Sequence, residues 1–174
     1  MTEQLPRARE FPPPDLDAIA AIVAFLEFVH TTSINKVAGL SEAQARATPL
    51  ATSPAMSVLG LIKHLTAVQR QHIQIHIGAI DVASLWRADA VEFEFHIGDD
   101  ESIASVVAAF DAEWAASKDT LARLDLRTHP EAIATAYGEP VRAVRLLVDV
   151  LQESARHLGH IDIVRELIDG ATGE

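Results

Sequence analysis

Near the C-terminus one register recurs at alternating steps of four and three, through Leu146, Val150, Glu153, His157, His160, Val164 and Leu167. That spacing keeps one face of an α-helix turned toward a core, so it commits the stretch to a buried seam. Three of the seam positions carry metal-ligand side chains. At about 100° per residue, Glu153, His157 and His160 fall within roughly 60° of one another. The opposite side, Arg142, Arg145, Asp149, Gln152 and Arg156, is a charged face suited to water. A carboxylate aimed inward needs a metal or a strong hydrogen bond to offset the cost of burying an unpaired charge.

The rest of the chain must supply partners for that helix. With 174 residues, 49% of them hydrophobic, it is long enough for one domain, 1–174, with its own core. The 25 acidic against 14 basic residues give a net charge of -11, which argues against nucleic acid or an anionic membrane as the main partner. There is no cysteine, which excludes disulfides, thiolate ligands and a cysteine nucleophile; any thiol chemistry must use an external thiol. The charged, polar start from Met1 to Phe11 has no apolar leader region, and no uncharged apolar span of 18 residues occurs, so a cytoplasmic location is expected.

Taken in order, Phe11-Pro12-Pro13-Pro14 is stiff and extended, and residues 1–14 read as a surface arm. Asp15 or Asp17 caps a first helix with the stripe Ile19, Ile22, Val23, Leu26 and Val29; His30, at its edge, reads as a hydrogen-bonded core histidine. Ser41-x-x-Gln44 has the form of a capping box for a short helical turn. A second helix begins between Ser53 and Ser57 and runs to Gly78, with His64 in its middle and Gly60, one turn earlier, removing bulk beside it. By itself, such a lone helical histidine is more often structural than a ligand. His72 and His76 share an i, i+4 spacing compatible with metal, but no carboxylate accompanies them, and they read as solvated or interface residues.

Residues 81–100 lack a helical period. The alternation Val91-Glu92-Phe93-Glu94-Phe95 resembles a strand with nothing to pair with, so the segment is expected to be an ordered loop. Asp99-Asp100-Glu101 reads as the cap of a third helix carrying Ile103, Val106, Val107, Phe110 and Trp114 inward. Pro140 opens the final helix and Gly170 ends it; Gly159, between the two histidines, suggests close packing or ligand access. Four amphipathic helices with a long crossover loop between the second and third make an all-α four-helix bundle.

Glu153 and His157, one turn apart and facing His64 from the second helix, would supply three ligands and leave coordination positions open, which suits catalysis better than structure. His160 is either a fourth or alternative ligand or an orienting group acting through its ring N–H. Two histidines and a carboxylate fit zinc, and equally non-haem iron or nickel, so ligand type alone does not name the metal.

Pro12-Pro13-Pro14, Leu40-Ser41, Leu59-Gly60-Leu61-Ile62-Lys63-His64-Leu65, the lead-in from Gly98 to Ser102, and the run from Glu153 through His157, Gly159 and His160 to Gly170 together resemble the DinB-like superfamily over nearly the whole chain. The resemblance is closest to small single-domain members related to mycothiol-dependent maleylpyruvate isomerase and the bacillithiol transferases. It implies a four-helix bundle, often a homodimer, with a metal held by a histidine of the second helix and a His/Glu-x-x-x-His pair on a later one. His64 matches the first and Glu153-x-x-x-His157 the second, while His160 falls where glutamine is common. Gln69 and His72 depart from the acidic and aromatic residues that close relatives often carry there.

The function so implied is that of a metal-dependent transferase or isomerase for a low-molecular-weight thiol such as mycothiol, with the thiolate attacking a small electrophile. A non-catalytic metal- or ligand-binding bundle with a stress-related or structural role is the alternative, and a buried Glu–His network without metal is a third reading.

Overall fold

The computed structural model describes residues 5–87, 89–90 and 92–173, and these are helical with no strand among them. The helices are α1 (Ala18–Asn35), α2 (Glu42–Arg46), α3 (Val58–Gln69), α4 (Ile103–Leu121), α5 (Glu131–Tyr137) and α6 (Ala143–Asp169). A π-helical segment, Arg70–Ile77, continues α3 directly, and a 3₁₀ turn, Phe93–Phe95, lies in the connection to α4. Residues 1–4 of the expected arm and Val91 of the alternating stretch lie outside the described residues.

Local chemistry sets most of the boundaries. The Asp17 carboxylate accepts from the Ile19 and Ala20 amides at the start of α1. Ser41 and Gln44 form the reciprocal capping box expected of them. Ser57 caps α3 through the Gly60 amide, and Gly170, at φ +75°, closes α6 in the left-handed conformation that glycine adopts at little cost. The acidic run does not cap α4. That role falls to Ser102, in a capping box with Ser105, while Glu101 turns back to the Gly98 amide and to Lys63. The seven-residue α5 has no counterpart in the apolar periodicity, and the last part of the helix expected to run to Gly78 is π-helical, its wider turn carrying the Gly78 amide to the Ile73 carbonyl (2.9 Å).

The core falls into two apolar clusters. One gathers Ile34, Leu59, Ile62, Leu65, Phe110 and Ile161; the other gathers Leu26, Val68, Ile73, Trp114, Leu146 and Val150. Each of the four long helices contributes to both, and each passes from one to the other at or beside a polar residue. The residue is His30 on α1, His64 on α3, Asp111 on α4, and the Glu153–His157 turn on α6. The order of passage also gives directions: α1 and α6 meet the Leu26 cluster first, whereas α3 and α4 meet the Ile34 cluster first.

By length and composition α1 could cross a membrane. Its role here is that of a core helix, packed along α6 with Leu26, Val29 and Ile34 buried, and with Glu27 paired to Lys118 of α4. Residues ahead of it lie along its surface: Arg7 exchanges backbone hydrogen bonds with the Asn35 side chain and grips Asp111 with two guanidinium bonds of 2.8 and 2.7 Å. The C-terminal seam is only partly buried. Leu146, Val150 and Val164 are enclosed, but Leu167 is 55% exposed, because the buried stripe drifts around a straight helix and reaches Ile161 instead.

Candidate metal centre

Among the described residues, one group of three or more potential ligands converges: His64 from α3 with Glu153 and His157 from α6, whose ligand atoms all lie within 4.8 Å of one another. The i, i+4 spacing on α6 brings Glu153 Oε2 to 3.3 Å from His157 Nε2. The His64 ring meets the His157 ring edge-on, at 4.6 Å between centroids. Donors bound about 2.1 Å from a tetrahedral ion sit ~3.4 Å apart, so the Glu153–His157 pair already has that spacing and the His64 side must close by about an ångström.

His160 lies next to this group and outside it. Its Nδ1 is 3.2 Å from Nδ1 of His157, so one ring donates to the other, and the His157 nitrogen engaged with His160 is the one remote from Glu153. Arg156 pairs with the other Glu153 oxygen at 2.9 Å and leaves Oε2 toward the histidines. Beside His157 and His160 opens a cavity of about 240 Å³, walled by Pro54, Met56, Leu61 and Phe95.

Electrostatics keep the imidazoles in the form that coordinates. Burial, with a smaller contribution from His157, drives the His64 pKa down to about 3. His157 is also lowered, by burial first, with the nearby Glu153 charge opposing the shift. Both rings are therefore neutral at pH 7, and metal-ligating histidine must be neutral.

Sequence reasoning missed two groups, both from the connection between α3 and α4. Phe95 stacks on His64 at 4.2 Å with the rings 11° from parallel, and Glu94 Oε1 lies 3.6 Å from His64 Nδ1. The signal was Gly60. A Cβ there would stand 2.5 Å from the Phe95 carbonyl oxygen, so only glycine lets the 3₁₀ turn sit this close to α3. Gly159, by contrast, has nothing within 4 Å of a built Cβ and is exposed; it serves neither packing nor access.

The remaining candidates stay apart. His30 is the core histidine expected, 3% exposed, with Nε2 3.1 Å from Asp111 and its ring against Phe110 and Trp114. His72 and His76 face one another at 5.6 Å, with Gln71 donating to His76 Nε2 and the rings turned to Trp86 and Tyr137; among the described residues they complete no three-ligand group.

With this geometry in place, the comparison with known families is specific: the mycothiol S-transferase family model matches residues 21–170. The chain belongs to that family. The match takes in all three converging side chains and agrees with the DinB-like character of the motifs around them. Membership carries with it a thiol-transferase type of function. No curated protein and no solved structure matched the chain.

Proposed function

We propose that the chain is a metal-dependent mycothiol S-transferase, in which His64, Glu153 and His157 hold one divalent ion, zinc before nickel or iron, and a small electrophile receives the thiol sulfur. The observation that carries this reading is the convergence of two neutral imidazoles and one carboxylate within 4.8 Å in a member of a thiol-transferase family. The donor set fits: two nitrogens and one oxygen suit zinc and leave a position for another group, whereas structural zinc sites use four protein ligands. When bound, the ion would supply Lewis-acid stabilisation that lets an external thiol ionise near neutral pH. The protein's own part is placement. Glu153 offers Oε2 while Arg156 occupies Oε1, and His160 fixes the His157 ring through Nδ1, the usual partner arrangement for a ligating histidine. The cavity at His157 is walled mainly by apolar side chains, with Thr52, Ser53 and Glu92 as polar groups at its lining, a mixture suited to a small electrophile.

The same reading takes the four long helices as a four-helix bundle with residues 78–102 as its crossover, supported by the opposed directions of α1/α6 and α3/α4. It includes a cytoplasmic single domain. It also takes the protein as a homodimer, supported by exposed Ile163 and Leu167 on one face of α6; sedimentation showing only monomer at micromolar concentration would contradict the pairing.

The test of function is metal-loaded protein assayed against a panel of electrophiles with mycothiol, bacillithiol, glutathione or no thiol. Turnover needing both metal and thiol, with mycothiol the best thiol, is the expected result. Turnover in metal-free, thiol-free protein would remove the mechanism, and metal binding without turnover under any thiol would favour a non-catalytic binding protein.

A further inference from the structure

The two histidines of the centre are supported differently. His157 turns Nε2 to Glu153 and Nδ1 to His160, so each ring nitrogen has a neighbour. His64 Nδ1 is buried without a hydrogen bond, and the acceptor that faces it is Glu94 Oε1, 3.6 Å away. At that separation no hydrogen bond exists, yet a closure of under an ångström would make one.

The position of Glu94 is built into the fold. Phe95 lies flat on the His64 ring, its carbonyl occupies the space that Gly60 leaves open, and Lys63 Nζ bonds the next carbonyl, of His96, at 2.7 Å. The turn Phe93–Phe95 is thus held against the α3 turn that carries His64 by the two residues after Glu94, and Lys63 Nζ also lies over the ring of Phe93 before it, at 5.5 Å.

We propose that Glu94 is the positioning residue of His64: its carboxylate accepts from Nδ1–H, which selects the tautomer with a free Nε2 and aims that nitrogen at the ion. This rests on the metal reading above and assigns the loop between α3 and α4 a part in it that matches what His160 does for His157. Outer carboxylates of this kind orient ligating histidines and raise their basicity, and removing one typically weakens metal binding about 10- to 100-fold.

The experiment measures zinc affinity by competition with a chromophoric chelator, in the parent protein and in Glu94→Ala, Glu94→Gln and His157→Ala, with helical circular dichroism to show that each is folded. Cobalt(II) absorption of the same proteins reports the ligand set. Glu94→Ala should bind zinc about 10- to 100-fold more weakly. Glu94→Gln should recover to within about threefold of the parent, because the amide oxygen still accepts the same bond. The cobalt band should keep its shape and intensity in both, since Glu94 touches no ion. Affinity of Glu94→Ala within about twofold of the parent, a glutamine variant as weak as the alanine one, or a cobalt spectrum altered by either would each overturn the role. A parent that takes up no zinc would overturn the metal reading itself, whereas a parent that binds normally beside an unaffected Glu94→Ala would overturn only the part assigned to Glu94.

Discussion

Two polar stations interrupt the core where the apolar clusters meet, and they are built from the same residue types to opposite effect. Between α1 and α4, His30 pairs with Asp111, and Asp111 is gripped by both arms of the Arg7 guanidinium. Between α3 and α6, His64, His157 and Glu153 converge, but the available guanidinium, Arg156, binds the outward oxygen and leaves the inward one to the histidines. Both oxygens of Asp111 are engaged by the guanidinium, whereas Arg156 takes only one oxygen of Glu153. The first station is therefore closed and structural, and the second keeps Glu153 Oε2 beside two neutral imidazoles, the donors that an ion would take in the reading proposed above.

The sharpest way to break this comparison is to remove a ligand from each station. His64→Ala and His157→Ala should each drop the bound metal of protein purified without a histidine tag from about one ion per chain toward zero, as a three-ligand site cannot spare one. His30→Ala should leave the metal content unchanged. Elemental analysis decides it, and full metal in both of the first two variants would show that the open station is not a metal centre.

How far these stations could be read from sequence depended on what carried the signal. The α6 seam and the Ser41 capping box were legible because they act through neighbours three or four positions away, which a local pattern records, while the caps of α1 and α3 could be narrowed only to Asp15 or Asp17 and to the stretch from Ser53 to Ser57. His30 could be assigned to the core, but its partners Asp111 and Arg7 lie 81 residues further on and 23 residues before it, and no local pattern joins them. Glu94 and Phe95 were hidden for the same reason, in a stretch without helical period. The π-helical turns of Arg70–Ile77 break the 3.6-residue rule that any such reading assumes, and α5 is too short to show a period.

A stability measurement breaks the comparison in the other direction. His30→Ala removes a buried ring packed on Phe110 and Trp114 and should cost about 2–4 kcal/mol, the range for large-to-small core changes. Metal-free His157→Ala, whose ring borders a cavity, should cost less. Urea midpoints at constant slope give the comparison, and an equal loss for both would mean that the two stations contribute alike to the fold.

The closed station should also set an acid limit. Burial lowers the His30 pKa, against the opposing pull of Asp111 and Glu27 and with a small further lowering from Arg7. The Asp111 carboxyl is buried in part, which by itself would raise it, but the hydrogen bonds from Arg7 and His30 hold it well below the usual carboxylate range. Both groups bind fewer protons folded than unfolded, so stability falls as pH falls. For His30 the contribution is complete above its unfolded value of 6.5 and is lost below it; for Asp111 the loss begins below its unfolded value of 3.8. His64 and His157 add to the slope in metal-free protein, as their pKa values are lowered too. His30→Ala should therefore make the curve between pH 6 and about 4.5 shallower by at most about 1.4 kcal/mol per pH unit, the linkage for one proton. An unchanged slope would show that His30 takes up its proton without loss of the fold.

The smallest effect falls inside the open station's own helix. Gly159 separates His157 from His160, and its place between two site residues suggests a glycine kept for ligand access. Space around it says otherwise: a Cβ would meet nothing within 4 Å, and its backbone is ordinary α-helix with no positive φ. A glycine in such a position only adds conformational freedom to the unfolded chain and forgoes helix propensity. Gly159→Ala should therefore stabilise the protein by about 0.4–1 kcal/mol, with zinc affinity unchanged, since the new methyl group points away from the converging donors. The rise in urea midpoint and the chelator titration test the two halves separately. A gain in stability with weakened zinc binding would mean that α6 must bend or breathe at Gly159 to bring His157 to the ion, and would place the missing ångström of closure at the His64 side in the helix instead of the ligand ring.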